Sequence, residues 1–132
     1  MNGFHPEMTE TEVNRISMLG LAHIGDGVYE LLTRTWLCLQ GHTDVQKLHR
    51  LTVSHVRAEA QARAATKLLP ILSDSELALY KRGRNTHVHS VPHCADIADY
   101  HAATGLEALF GWLYLQGKTQ RIDELFAIIT EE

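Results

Sequence analysis

The chain is predicted to be all-α, and three observations carry that prediction. Apolar residues recur at helical steps of three and four through most of the 132 residues. Ser/Thr-x-x-Glu/Gln signatures stand ahead of three of those runs, at Thr9–Glu12, Thr43–Gln46 and Ser73–Glu76. No segment shows the sustained apolar/polar alternation of a half-buried strand.

The capping box Thr9-x-x-Glu12 predicts a first helix through Val13, Ile16 and Leu19–Leu21. The next helix takes Ile24, Val28, Leu31, Leu32 and Thr35 and ends near Gly41. Gly20, Gly25 and Gly27 lower helix propensity there, so a break or bend is expected between residues 20 and 25. After Thr43-x-x-Gln46, the residues Leu48, Leu51, His55, Ala58, Ala62, Ala65 and Leu69 form one amphipathic face. A polar stripe runs beside it through Lys47, Arg50, Ser54, Arg57 and Gln61. Pro70 closes this region, after an internal kink. Ser73-x-x-Glu76 opens a helix through Leu77 and Tyr80 that ends near Gly83. Residues 85–95 have no useful period and contain Pro92, which predicts a loop. A helix over about 97–116 and a shorter one over about 119–130 complete the chain.

Residues 1–132 are expected to form a single domain, long enough to bury a real core. The content of 45% apolar and 21% charged residues is that of a globular protein. No apolar run approaches the roughly 20 residues that span a bilayer, and no signal peptide is evident at the start. Cys38 and Cys94 have no ligand-like spacing and read as reduced thiols, so a cytoplasmic protein without a membrane partner is expected. Net charge is −4, but residues 34–84 carry +5 and the remainder −9. That segregation permits a basic face on an acidic protein, as does plain scatter between helices.

Two acids stand where core positions are expected. Asp26 lies in LAHIGDGVYE and Glu107 in ATGLEALFGWLYL, both apolar runs crowded with small residues. Buried carboxylates need a partner, a proton or a cation. Small neighbours allow close backbone approach, by another helix or by a ligand. A facing pair of carboxylates suits Mg²⁺, which takes one or two of them together with waters and phosphate oxygens. The other reading makes both acids helix caps. Thr104-x-x-Glu107 has the form of a capping box, and Asp26 would cap a helix restarting after the glycines. Glu30, one turn beyond Asp26, would join the cluster or pair with a nearby Arg. His87, His89, His93 and Cys94 hold enough soft ligands for Zn²⁺, but there is no second tight pair. His55 reads as a hydrogen-bonded core histidine. Lys81, Arg82 and Arg84 around Gly83 read as cations at a helix end, with Gly83 as its C′ residue.

These segments also carry a resemblance. LAHIGDGVYE resembles the signature helix of the ribonuclease III endonuclease domain, and ATGLEALFGWLYL resembles that domain's second acidic helix. Between them, Arg82-Gly83-Arg84-Asn85 resembles the RGRN segment of the Mini-ribonuclease III branch, which consists of the catalytic domain alone. The resemblance covers nearly the whole chain, and its end at Glu132 fits a branch without a double-stranded RNA-binding domain. Asp26 and Glu107 then match the catalytic, metal-binding acids. Full-length enzymes have two further acids, at the positions of Ala22 and Thr104 here, and the Mini-ribonuclease III branch tends to lack them. His23, Gly27 and Leu106 replace a usual Tyr, Ala and Phe. His87 and His89 appear after RGRN where a Lys is common, which makes RNA affinity weaker or more dependent on pH and salt.

What the resemblance implies is a ribonuclease III-type helical homodimer holding duplex RNA in one valley. Its activity is expected to be Mg²⁺-dependent hydrolysis, with Mn²⁺ as a substitute, giving 5′-phosphate and 3′-hydroxyl ends. Lys81, Arg82, Arg84 and Asn85 are the expected RNA-binding residues. A 23S ribosomal RNA precursor is the implied substrate, in a ribosome-assembly or ribosomal-protein context. The rivals are a non-catalytic duplex-RNA-binding relative and an unrelated helical dimerisation or scaffold protein.

Overall fold

The computed structural model describes residues 2–86 and 96–131, and these are helical with no strand among them. Helix α1 spans Glu10–Val13, α2 Met18–Leu39, α3 Val45–Val56, α4 Ala58–Leu68, α5 Asp74–Arg84, α6 Ile97–Leu115 and α7 Thr119–Thr130. A 3₁₀ turn at Leu69–Ile71, built on Pro70, follows α4.

The capping boxes at Thr9/Glu12 and Ser73/Glu76 form as the sequence predicts. The third start moves by one residue, because Asp44 rather than Thr43 caps α3, accepting from the Gln46 amide. The expected break between residues 20 and 25 does not occur. The chain breaks earlier, at residues 14–17, and Ser17 caps α2 by accepting from the Gly20 amide. From there α2 runs unbroken through all three glycines. At Gly25 the propensity cost, about 1 kcal/mol, is outweighed by the packing described below. The kink inside the long amphipathic segment is real and sits at Arg57, whose ψ of 157° is extended. One extended residue resets the helical phase. The core face of α4 is therefore Gln61, Ala64, Ala65 and Leu68, not the 58/62/65/69 face that continuous spacing predicts.

Helix α6 is the axis of the molecule. Every residue from Ala103 to Leu113 is buried except Glu107, which is half-buried. A helix apolar on all sides needs neighbours on all sides, and α2, α4, α5 and α7 supply them. Tyr29, Phe110 and Phe126 interlock edge to face in this core, with centroids 5.3 and 5.8 Å from Tyr29. Arg121 of α7 clamps the periphery, donating to both carboxylate oxygens of Glu76 at 2.9 Å and to the Ile71 carbonyl at 3.1 Å. No described helix is long and apolar enough to cross a membrane.

Candidate functional site

The two acids meet because α2 and α6 cross with their backbones in contact. A Cβ on Gly25 would stand 1.6 Å from the Glu107 carbonyl oxygen. A Cβ on Gly111 would stand 2.0 Å from that of Leu21. Only hydrogen fits at either place. The crossing brings Asp26, next to Gly25, beside Glu107.

Neither acid is a cap. Asp26 and Glu107 both lie inside unbroken helices. Thr104 does not cap a helix start either, since its hydroxyl donates back to the Tyr100 carbonyl at 3.0 Å. Glu107 is pushed up to about 8. Burial is the main cause, and the neighbouring Asp26 charge and a hydrogen bond shared with Asp26 add to it. Asp26 itself is exposed. The pair thus has one carboxyl that keeps its proton at neutral pH unless a cation takes that proton's place. Such a pair, open to solvent on the Asp26 side, fits a hard divalent ion. Among the described residues no group of three or more His, Cys, Asp or Glu could hold a metal, so the pair by itself offers two carboxylates. Ala22, one turn before Asp26, is buried and supplies no donor. Glu30 does not join the cluster, because it pairs with Arg34 at 3.0 Å.

Glu107 opens into a cavity of about 150 Å³ whose polar lining is Gln61, Tyr100, Thr104 and Glu107. Gln61 is the residue that sequence reasoning misplaced. It was expected on a solvated stripe and is only 1% exposed. Its amide faces Glu107 closely enough to favour the ionised carboxylate, yet Nε2 completes no well-formed hydrogen bond with a described group. The signal that could have found it was the kink, since a phase reset at Arg57 turns residue 61 inward. A second hollow, of about 240 Å³ between α2 and α3, is lined by Cys38 and His49 among others and holds neither acid.

The basic residues gather at the end of α5. Lys81, Arg82 and Asn85 are exposed, and Arg84 is half-buried. Arg84 lies 5.7 Å from the centroid of the Tyr80 ring and donates through Nε to Asn85 Oδ1 at 3.3 Å. Gly83 is not the C′ residue expected of it. The helix continues through Arg84, and Asn85 is the cap. Gly83 instead permits close approach to α6, since its Cβ would sit 3.0 Å from Gly105 Cα and 2.9 Å from Ala108 Cβ. This contact anchors the basic end to the stretch of α6 that carries Glu107. No hydrogen bond or ion pair joins these four residues to either acid among the described residues. His55 packs edge-on against Trp36 at 5.0 Å rather than through a hydrogen bond to a described residue. His87, His89, His93 and Cys94 lie outside the described residues.

The chain is similar to known proteins. The ribonuclease III domain profile matches residues 19–118. A Mini-ribonuclease 3 of Clostridium tetani is 36% identical over 124 residues, 93% of this chain and 82% of that protein. The Mini-ribonuclease 3 of Symbiobacterium thermophilum is 43% identical over 107 residues, 81% of this chain and 82% of its own length. That of Brevibacillus brevis is 42% identical over 123 residues, 90% of this chain and 92% of its own. An X-ray crystal structure of a Fusobacterium nucleatum protein superposes with a TM-score of 0.78 at 29% identity, over 86% of this chain and 87% of that one.

Proposed function

This chain belongs to the ribonuclease III family, a family of endoribonucleases, and we propose that it is a Mg²⁺-dependent endoribonuclease that cleaves double-stranded RNA as a cytoplasmic homodimer. Residues 1–132 act as one catalytic domain, and a structured precursor of 23S ribosomal RNA is the substrate. The observation that carries this reading is the apposition of Asp26 and Glu107 at a backbone-tight crossing, with Glu107 ionising only near pH 8. A structural acid pair would more economically be a neutral amide. A pair that must share a proton or hold a cation, open to solvent on one side, suits a site where a cation arrives.

Asp26 and Glu107 would hold the ion, and Mn²⁺ would replace Mg²⁺ because both are hard cations that accept oxygen ligands. When bound, the ion supplies Lewis-acid polarisation of the phosphodiester and a water acidic enough to act as nucleophile near neutral pH. Hydrolysis in this site would join a water oxygen to phosphorus as the P–O3′ bond breaks. One proton passes to O3′ and one to solvent, leaving 5′-phosphate and 3′-hydroxyl ends. Glu107 must first lose its own proton. Lys81, Arg82, Arg84 and Asn85 bind phosphate and sugar oxygens across an A-form minor groove. The Tyr80 ring and Asn85 pre-orient Arg84 for that contact. Leu19, Leu31 and Leu39 are exposed along α2, at 41, 54 and 83%, and support a second copy docking nearby.

The test is cleavage of duplex RNA with Mg²⁺ or with chelator, beside Asp26→Asn and Glu107→Gln. Cleavage by wild type should need the ion and fall at least about 100-fold in each folded variant, the usual scale for losing one electrostatic group at a reacting centre. Binding without cleavage in wild type would favour a non-catalytic relative. Variants that cut as well as wild type would sink the site assignment.

A further inference from the structure

Gln61 is a buried polar side chain whose amide nitrogen no described group satisfies. It is 1% exposed, its Nε2 has no hydrogen-bond partner among the described residues, and it lines the same cavity as Glu107. A buried amide left unpaired costs about 1–3 kcal/mol. A leucine of similar volume in the α4 core, beside Ala64, Ala65 and Leu68, would avoid that cost. The cavity of about 150 Å³ beside it has room for a partner, and Glu107 lines that same cavity.

A carboxylate has two oxygens and about four acceptor sites. When a cation takes one oxygen, the other needs a donor or the group is free to rotate. A neutral amide suits this place. Lysine or arginine would compete with the cation for Glu107, and another acid would add to the repulsion with Asp26. We propose that Gln61 is a positioning residue of the acid pair: its side-chain N–H groups donate to the second oxygen of Glu107 once that carboxylate holds a divalent cation, and so fix which oxygen faces the ion. The inference rests on the reading of Asp26 and Glu107 as cation ligands.

Its test uses Mn²⁺ alone as the probe, titrated into the RNA-free protein and read by electron paramagnetic resonance. Gln61→Leu and Gln61→Met remove the donor and keep the volume. Either should weaken Mn²⁺ binding about 10-fold or more, the usual scale for losing an outer partner of a metal ligand. Thermal unfolding in chelator should be unchanged or raised, because an unpaired amide has gone. On a Glu107→Gln background the same change should weaken binding no further, since the group it orients is no longer a carboxylate. Raising Mg²⁺ should restore cleavage by Gln61→Leu. Mn²⁺ affinity within twofold of wild type in either folded variant overturns the proposal. So does a lowered Tm with unchanged affinity, which makes Gln61 merely structural. If Asp26→Asn abolishes Mn²⁺ binding and the Gln61 variants do not change it, only the positioning role fails. If Asp26→Asn leaves binding intact, or wild type binds no Mn²⁺, both readings fail.

Discussion

The two faces of α2 use glycine for opposite reasons. On the face toward α6, Gly25 sits among Leu21, Ala22 and Tyr29, all buried, and its hydrogen touches the α6 backbone. On the outer face, Gly27 sits with exposed His23 and Leu31, and no described atom lies within 4 Å of where its Cβ would be. Asp26 lies between them, at the border of the two faces. One glycine is required by packing and sets the distance between two carboxylates. The other is a gap in a helix face. The sequence Gly-Asp-Gly looks symmetric and the structure is not.

The largest effect should come from filling the inner face. Gly25→Ala puts a methyl 1.6 Å from a carbonyl oxygen, and Gly111→Ala puts one 2.0 Å from another. Both obstacles are helix backbone and cannot rotate away. The helices must separate, at a cost of about 3 kcal/mol or more. That is a large share of the roughly 5–15 kcal/mol that holds a domain together. Denaturant unfolding should show the loss. Any folded fraction should also lose Mn²⁺ affinity, because the acids move apart with the helices.

A smaller effect should come from neutralising the charge that the crossing holds. Glu107 rises from 4.5 to about 8 on folding. Below pH 4.5 both folded and unfolded chains are protonated there and no penalty exists. Between 4.5 and 8 the native state keeps a proton that the unfolded chain has lost, so stability falls as pH rises. Above pH 8 the full penalty remains. Glu107→Gln should therefore match wild type near pH 4 and exceed it by pH 8 in chelator. The difference should be on the order of 1–2 kcal/mol, once solvent contact is allowed for. Saturating Mg²⁺ should erase the gap, since the ion stabilises only wild type. Melting curves from pH 4 to 9, with and without the ion, check the sign. A variant less stable than wild type at pH 8 in chelator would mean that Glu107 is satisfied without a cation.

This asymmetry also explains what could be read from the sequence. The helices, two of the three capping boxes and the kink are legible, because local spacing and capping chemistry decide them. Three features are not. Propensity reads the three glycines as a break in α2, because it cannot see the α6 backbone that lies against Gly25. Gly83 was read as a helix end for the same reason, although it is a contact with Gly105 and Ala108. Gln61 was placed on a solvated stripe because one extended residue at Arg57 shifted the phase that spacing assumed constant. For Gly25 and Gly83 the missing information was a contact between segments far apart in the chain, and such contacts also bring Asp26 to Glu107.

The smallest prediction sharpens the comparison from the outer side. Gly27 lies mid-helix with a helical neighbour on each side and open space at its Cβ. Alanine there loses less backbone entropy on folding and meets no obstacle, so Gly27→Ala should stabilise the chain by about 0.5–1 kcal/mol. For a domain of this size that is a rise of about 2–5 °C in Tm. Dilution adds a second measurement. If the gain holds for the monomer at low concentration but vanishes or reverses where the protein associates, the methyl meets a second copy. The outer face of α2 is then the dimer seat, and Gly27, like Gly25, is there for a close approach. If the gain is the same at every concentration, the outer glycine serves no contact and the dimer forms elsewhere on the surface.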